Sequence, residues 1–189
     1  MLTVASVAKI IADYWHGQTI DRQAIVTICL LHDIAKPVTF DLVKQKTFVS
    51  SEAYLPVLER NINWLKKNYG QDELQIAIKI LSEIGVHNEV KKIMEVFEWT
   101  NVQKLLTMKY NEALIAIYAD MRVSPKGLVS LAQRLSEVHA RAPFLDYTFL
   151  QSYAKKVEDY LAQYVNIDIA AIPAHDLNLI LPELTMIEI

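Results

Sequence analysis

Residues 24–37 read AIVTICLLHDIAKP, an apolar run that ends in His32 and Asp33 and is stopped by Pro37. The run is apolar nearly all round, which predicts a buried central helix over about 21–35, and the proline forbids easy continuation. His32 follows Ile25, Ile28 and Cys29 by seven, four and three residues. Its ring therefore shares their face and points into a helical core rather than into water. A buried imidazole beside a carboxylate near a helix end is a mixed nitrogen and oxygen pair that suits a borderline divalent cation such as Mn, Fe or Zn. Alone the couplet is weak, because His175–Asp176 is a second one. A hydrogen-bonded core histidine beside a helix-end acid explains either.

Outward from this stretch the same periodicity recurs, and with only four glycines the chain reads as an all-α bundle of about seven to eight helices. Val4, Val7, Ala8, Ile11 and Trp15 form one stripe of a first helix that Gly17 ends. Residues 38–49 read as a loop with a short extended piece. A third helix is expected over about 51–69, tolerating Pro56 only near its first turn. Asp72 and Gln75 suggest a capping box for a helix ending at Gly85, and Asn88 a cap for the next. Further helices are expected at about 102–121, at about 131–142 behind a Ser130/Gln133 box, and at about 147–164.

With 189 residues, 52% of them hydrophobic, one core is the expectation. The balance of 19 basic against 22 acidic residues, net −3, gives no general reason to seek nucleic acid. The one cysteine, Cys29, excludes a disulfide framework and fits a reducing cytoplasm. Neither a membrane span nor a signal peptide is expected.

A second stretch, LIAIYADMRVSPKGLVSLAQRLSEV at 114–138, places Asp120 seven, four and three residues after Ala113, Ala116 and Ile117, a small-residue face able to approach the second helix closely. The two stretches resemble the two signatures of the HD superfamily of metal-dependent phosphohydrolases. The first looks like LLHDIGK with Ala35 in the usual glycine's place, and the second like an apolar helix ending in an Ala-Asp pair followed by a turn and an Arg-Leu helix. The resemblance covers about residues 4–142. It implies an HD-like helical domain over 1–145 and a divalent ion (Mn, Fe, Zn or Mg) held by His32, Asp33 and Asp120. It also implies hydrolysis of a nucleotide or other small phosphate ester by metal-activated water. Lys36 and Arg122, each close behind a ligand position, would contact phosphate, although basic residues at helix C-termini are ordinarily solvated.

Besides Ala35, the chain departs from the family at two places. Thr3 stands where the first histidine ligand is expected, four residues before Val7–Ala8, and His16 lies at the wrong end of that helix. Phe97 closes the segment 77–97 where a further histidine often stands, leaving His87 in a turn as a possible ligand or a plain turn residue. His139 reads as solvated. A rival expectation is therefore a degenerate HD domain that binds a ligand or protein without turnover. Residues 146–189 lie beyond the resemblance. Phe149, Leu150, Tyr153, Val157, Tyr160, Leu161 and Tyr164 make a broad aromatic stripe there, followed by an apolar tail, 177–189, without Lys or Arg. This segment is expected to pack on the same domain or on a second copy of the chain as a homodimer.

Overall fold

The opening stripe folds as α1 (Leu2–Asp13), and the decisive stretch as α2 (Arg22–Leu31), whose first turn is capped by the Asp21 carboxylate accepting from the Ala24 N–H at 2.9 Å. The computed structural model describes residues 1–46, 52–143 and 145–186. Helix α2 stops four residues earlier than the periodicity predicts. His32 is its C-cap, and the chain continues through turns into a 3-10 segment, Lys36–Thr39, because Pro37 has no N–H to donate.

Residues 38–45 correct the loop expectation. After the 3-10 segment, Asp41 caps a single turn, α3 (Leu42–Gln45), through its side chain; residues 47–49 and the expected third-helix start at Ser51 lie outside the described residues. Next come α4 (Leu55–Tyr69), with Pro56 in its first turn, α5 (Glu73–Glu83) and α6 (Asn88–Val96). Asp72 caps α5 by one bond to the Gln75 N–H without the reciprocal half of a box, and Asn88 is not a cap, since α6 begins behind His87 with no side-chain bond.

The expected helix at 102–121 is two, α7 (Val102–Met108) and α8 (Asn111–Met121), broken where Lys109 takes a left-handed conformation at φ 54°. After a two-residue hairpin pairing Val123–Ser124 with Gly127–Leu128, α9 (Leu131–Arg141) starts on the complete Ser130/Gln133 capping box. Helices α10 (Tyr147–Ala162) and α11 (Ala174–Leu184) complete an all-α architecture of eleven helices among the described residues. The count exceeds expectation because one long helix splits and the loop and tail each add one.

The core is a layer in which α1, α2 and α8 all touch one another. Helix α8 is buried on every side, with Ala113, Ala116 and Ile117 among its covered residues. Helix α6 packs beside α2 and α5 packs against α6, while α10 lies across α7, α8 and α9 through Leu150, Ala154, Val157 and Leu161. Helix α11 lies on α1, burying Leu177 and Leu184, with Glu183 3.2 Å from Lys9; Leu179 and Met186 face outward. Among the described residues no helix is long and apolar enough to cross a membrane.

A clasp joins the ends of α1 and α10. Trp15 and Val165 form an antiparallel bridge flanked by His16 N–H to Tyr164 O at 2.9 Å and Asn166 N–H to Tyr14 O at 3.3 Å, with the Trp15 and Tyr164 rings 5.2 Å apart. Gly17 fits beneath them because a Cβ there would stand 2.9 Å from the Trp15 ring.

Candidate metal centre

His32 owes its position to the last turn of α2: its N–H still bonds to Ile28 O at 2.7 Å, while the ring turns back on the helix and sets Nδ1 3.1 Å from Cys29 O. A carbonyl only accepts, so Nδ1 carries the proton and, in the neutral ring, Nε2 keeps its lone pair. That nitrogen faces two carboxylates, Asp33 Oδ2 at 3.5 Å and Asp120 Oδ1 at 3.4 Å. Asp33 comes from the turn after α2 and Asp120 from the last turn of α8, so the close packing of two core helices brings the three together. The histidine is 7% exposed, whereas the Asp33 and Asp120 side chains are 49% and 33% exposed and open on solvent.

Burial is the largest single influence on the His32 imidazole and disfavours its charge. The hydrogen bond and charge of Asp120, then the charge of Asp33 and the Cys29 carbonyl, outweigh it and raise the pKa above the ordinary histidine value. A raised pKa marks a ring in a strongly negative surround, which favours any cation, proton or metal.

The three residues line a cleft of about 400 Å³. Its walls add Lys36, Asp72, Glu73, Glu95 and Glu98 to the polar groups, and Leu74, Phe97 and Trp99 to the apolar ones. Lys36 Nζ is 3.3 Å from Glu73 Oε1. Phe97 lies against the His32 ring, centroids 4.9 Å apart, so the position where the resemblance expects another histidine is beside the couplet, filled by a phenyl ring. Thr3, half-buried in the first turn of α1, does not line this cleft.

Two expectations are corrected. Arg122 is not a phosphate contact: it is 3% exposed, and its guanidinium donates to Val129 O at 2.8 Å, Tyr118 Oη at 3.0 Å, Ala170 O at 3.0 Å and Ile169 O. The fork is thereby held by the Tyr118 hydroxyl and by backbone from just after the hairpin and from the segment before α11. His87 is not beside the couplet either. Its side chain is 77% exposed, 3.8 Å from Asp21 Oδ2, and borders a separate cleft with Thr27 and Val90. His16 and His139 are exposed, the latter against Tyr147. The cleft acids Asp72, Glu73, Glu95 and Glu98, and Trp99, were not anticipated as site residues; the one signal for Glu95 and Glu98 was their closeness in sequence to Phe97.

Separations of 3.4–3.5 Å are longer than the about 2.7–2.9 Å of a charge-assisted hydrogen bond. They approach the about 3.0–3.4 Å between ligand atoms that share an ion at about 2.1 Å. Donor types and tautomer thus fit a hydrated divalent cation. The fit is partial, since among the described residues no three His, Cys, Asp or Glu side chains close on a point as a metal-holding group. The carboxylates flank the imidazole without completing a cage.

The family model for the HD domain matches residues 1–135. No curated protein and no solved structure matches the chain.

Proposed function

The chain belongs to the HD-domain family, and from that premise we propose that it is a divalent-metal-dependent phosphohydrolase acting on a nucleotide or other phosphate ester. His32, Asp33 and Asp120 are the protein ligands of the ion, which is Mn, Fe, Zn or Mg. The reading rests on one observation: the Nε2 lone pair of a backbone-locked imidazole faces two carboxylates in an open cleft.

When bound, the ion supplies Lewis acidity, polarising a phosphoryl oxygen and acidifying water. In hydrolysis a water oxygen bonds to phosphorus as the ester P–O bond breaks; the water gives up one proton and the departing alcohol oxygen gains one. Asp33, with half its side chain exposed and Oδ2 turned toward His32, is suited to receive the water's proton at its other carboxylate oxygen, Oδ1. Lys36, the one cation lining the cleft among the described residues, is suited to meet a phosphate oxygen, at the cost of its contact with Glu73. The Cys29 carbonyl keeps the His32 ring from turning.

The test is metal content and melting temperature of protein purified without chelator, beside Asp120→Ala. Mn at a hundredfold excess over its dissociation constant should stabilise the parent by about 2.7 kcal/mol. The variant should show neither bound metal nor that gain, and no turnover of p-nitrophenyl phosphate. Unchanged metal content in Asp120→Ala would overturn the assignment.

Phe97 favours a second reading, a domain that binds without turnover, because its ring occupies the side of His32 where another ligand is expected. Metal at near-unit stoichiometry with no hydrolysis across nucleotides and small esters would decide for it.

A further inference from the structure

The charge on the cleft narrows the ligand. Among the described residues Asp33, Asp72, Glu73, Glu95, Glu98 and Asp120 share the lining with Lys36 alone, so with His32 neutral it carries five net negative charges. A divalent ion offsets only two of them. Arg122, the nearest other cation in sequence, is sealed in its carbonyl network and unavailable to a ligand. A cleft lined by one sign of charge between low-dielectric walls focuses its field, raising the local concentration of the opposite sign and excluding its own. A bare polyanion such as a nucleoside triphosphate is therefore disfavoured.

One further feature belongs to the same wall. Phe97 and Trp99 give it an aromatic character suited to a cation near ring faces.

Resting on the phosphohydrolase reading, we infer that the substrate is a small phosphate ester whose alcohol carries an ammonium group. The phosphate lies against His32, Asp33 and Asp120 and the ammonium toward Glu95, Glu98 and Trp99. The ammonium gains from the acidic wall what the phosphate loses there, and the ion needs to compensate only the phosphate end. Hydrolysis of such an ester balances as above, releasing an amino alcohol and inorganic phosphate.

The experiment is calorimetric titration of the full chain, with and without Mn, using O-phosphorylethanolamine and ethyl phosphate, which share the phosphate and differ in the ammonium. The ammonium ester should bind about tenfold tighter, equivalent to about 1.4 kcal/mol. Raised salt should erode the difference, and so should the double variant Glu95→Gln, Glu98→Gln. Equal affinities, tighter ethyl phosphate, no binding of either ester at millimolar concentration, or a preference unmoved by the double variant would each overturn the inference. The phosphohydrolase reading fails separately: no turnover of p-nitrophenyl phosphate or of either ester by the Mn-loaded parent would sink it, whichever ester binds better. The preference is also read on metal-free protein, so loss of the metal leaves the charge argument tested.

Discussion

Replacing Arg122 by Leu separates a structural strut from a phosphate contact. The side chain is 3% exposed and donates four hydrogen bonds, three of them to backbone carbonyls at 129, 169 and 170. The fourth goes to Tyr118 Oη, which itself donates to Glu158 at 2.9 Å. Leucine retains much of the packing but strands the Tyr118 oxygen and the carbonyls. Each hydrogen bond from a charged donor contributes about 1.5–3 kcal/mol. Their sum overstates the loss, because leucine also removes the cost of burying the guanidinium. A net of about 3–5 kcal/mol is expected, as for breaking other buried charge networks. At about 2–4 °C per kcal/mol for a chain of this length, the melting temperature should fall by about 6–20 °C. Scanning calorimetry reads this directly, and Tyr118→Phe, which leaves most of the network, should cost about a third as much. An Arg122→Leu protein that melts with the parent but binds phosphate esters poorly would refute the assignment and return Arg122 to the cleft.

Phe97→His should place a second imidazole beside His32 and raise Mn or Zn affinity by about ten- to a hundredfold; unchanged affinity by titration would mean that position 97 does not reach the ion. Tyr110 donates to Glu89 at 2.6 Å, and this bond, with burial opposing and Lys92 assisting, holds the Glu89 carboxyl below the usual range. A depressed carboxyl stabilises the fold above its unfolded pKa of about 4.3, and the stability is lost as pH falls through the folded value. Urea unfolding of Tyr110→Phe should therefore show a deficit of about 1 kcal/mol at pH 7 that closes below about pH 4; a deficit independent of pH would mean that packing, not the carboxylate, is what the hydroxyl serves. Deleting residues after Asn166 uncovers the α1 face under Leu177 and Leu184, so the protein should melt lower or precipitate. A soluble monomer by light scattering, from a full chain that was a dimer, would instead support the tail lying on a second copy.

The placement of His32 beside Asp120 was legible in the sequence because each repeats the spacing of its own apolar face, and two buried faces of small and branched residues have to meet. The fate of Arg122 was not. Helical spacing sets where its Cα lies, while its direction is decided by carbonyls 47 and 48 residues away that no local pattern announces. The break at Lys109 was hidden likewise, since a non-glycine residue in the left-handed region leaves no mark on a continuous helical pattern. Asp72 was read correctly as a helix cap, and that sufficient local reason concealed its second place on the cleft wall.

The clasp between Trp15 and Val165 has a consequence for how the molecule is made. Its halves are about 150 residues apart in the chain, and the same helix α1 waits for α8 and α11 as further partners. At a synthesis rate of about 5–20 residues per second, α1 leaves the ribosome roughly eight to thirty seconds before Val165 does. Until α8 follows, α2 is the large partner already at hand, and until α11 is made part of the apolar surface of α1 stays open to solvent, to other nascent chains and to chaperones.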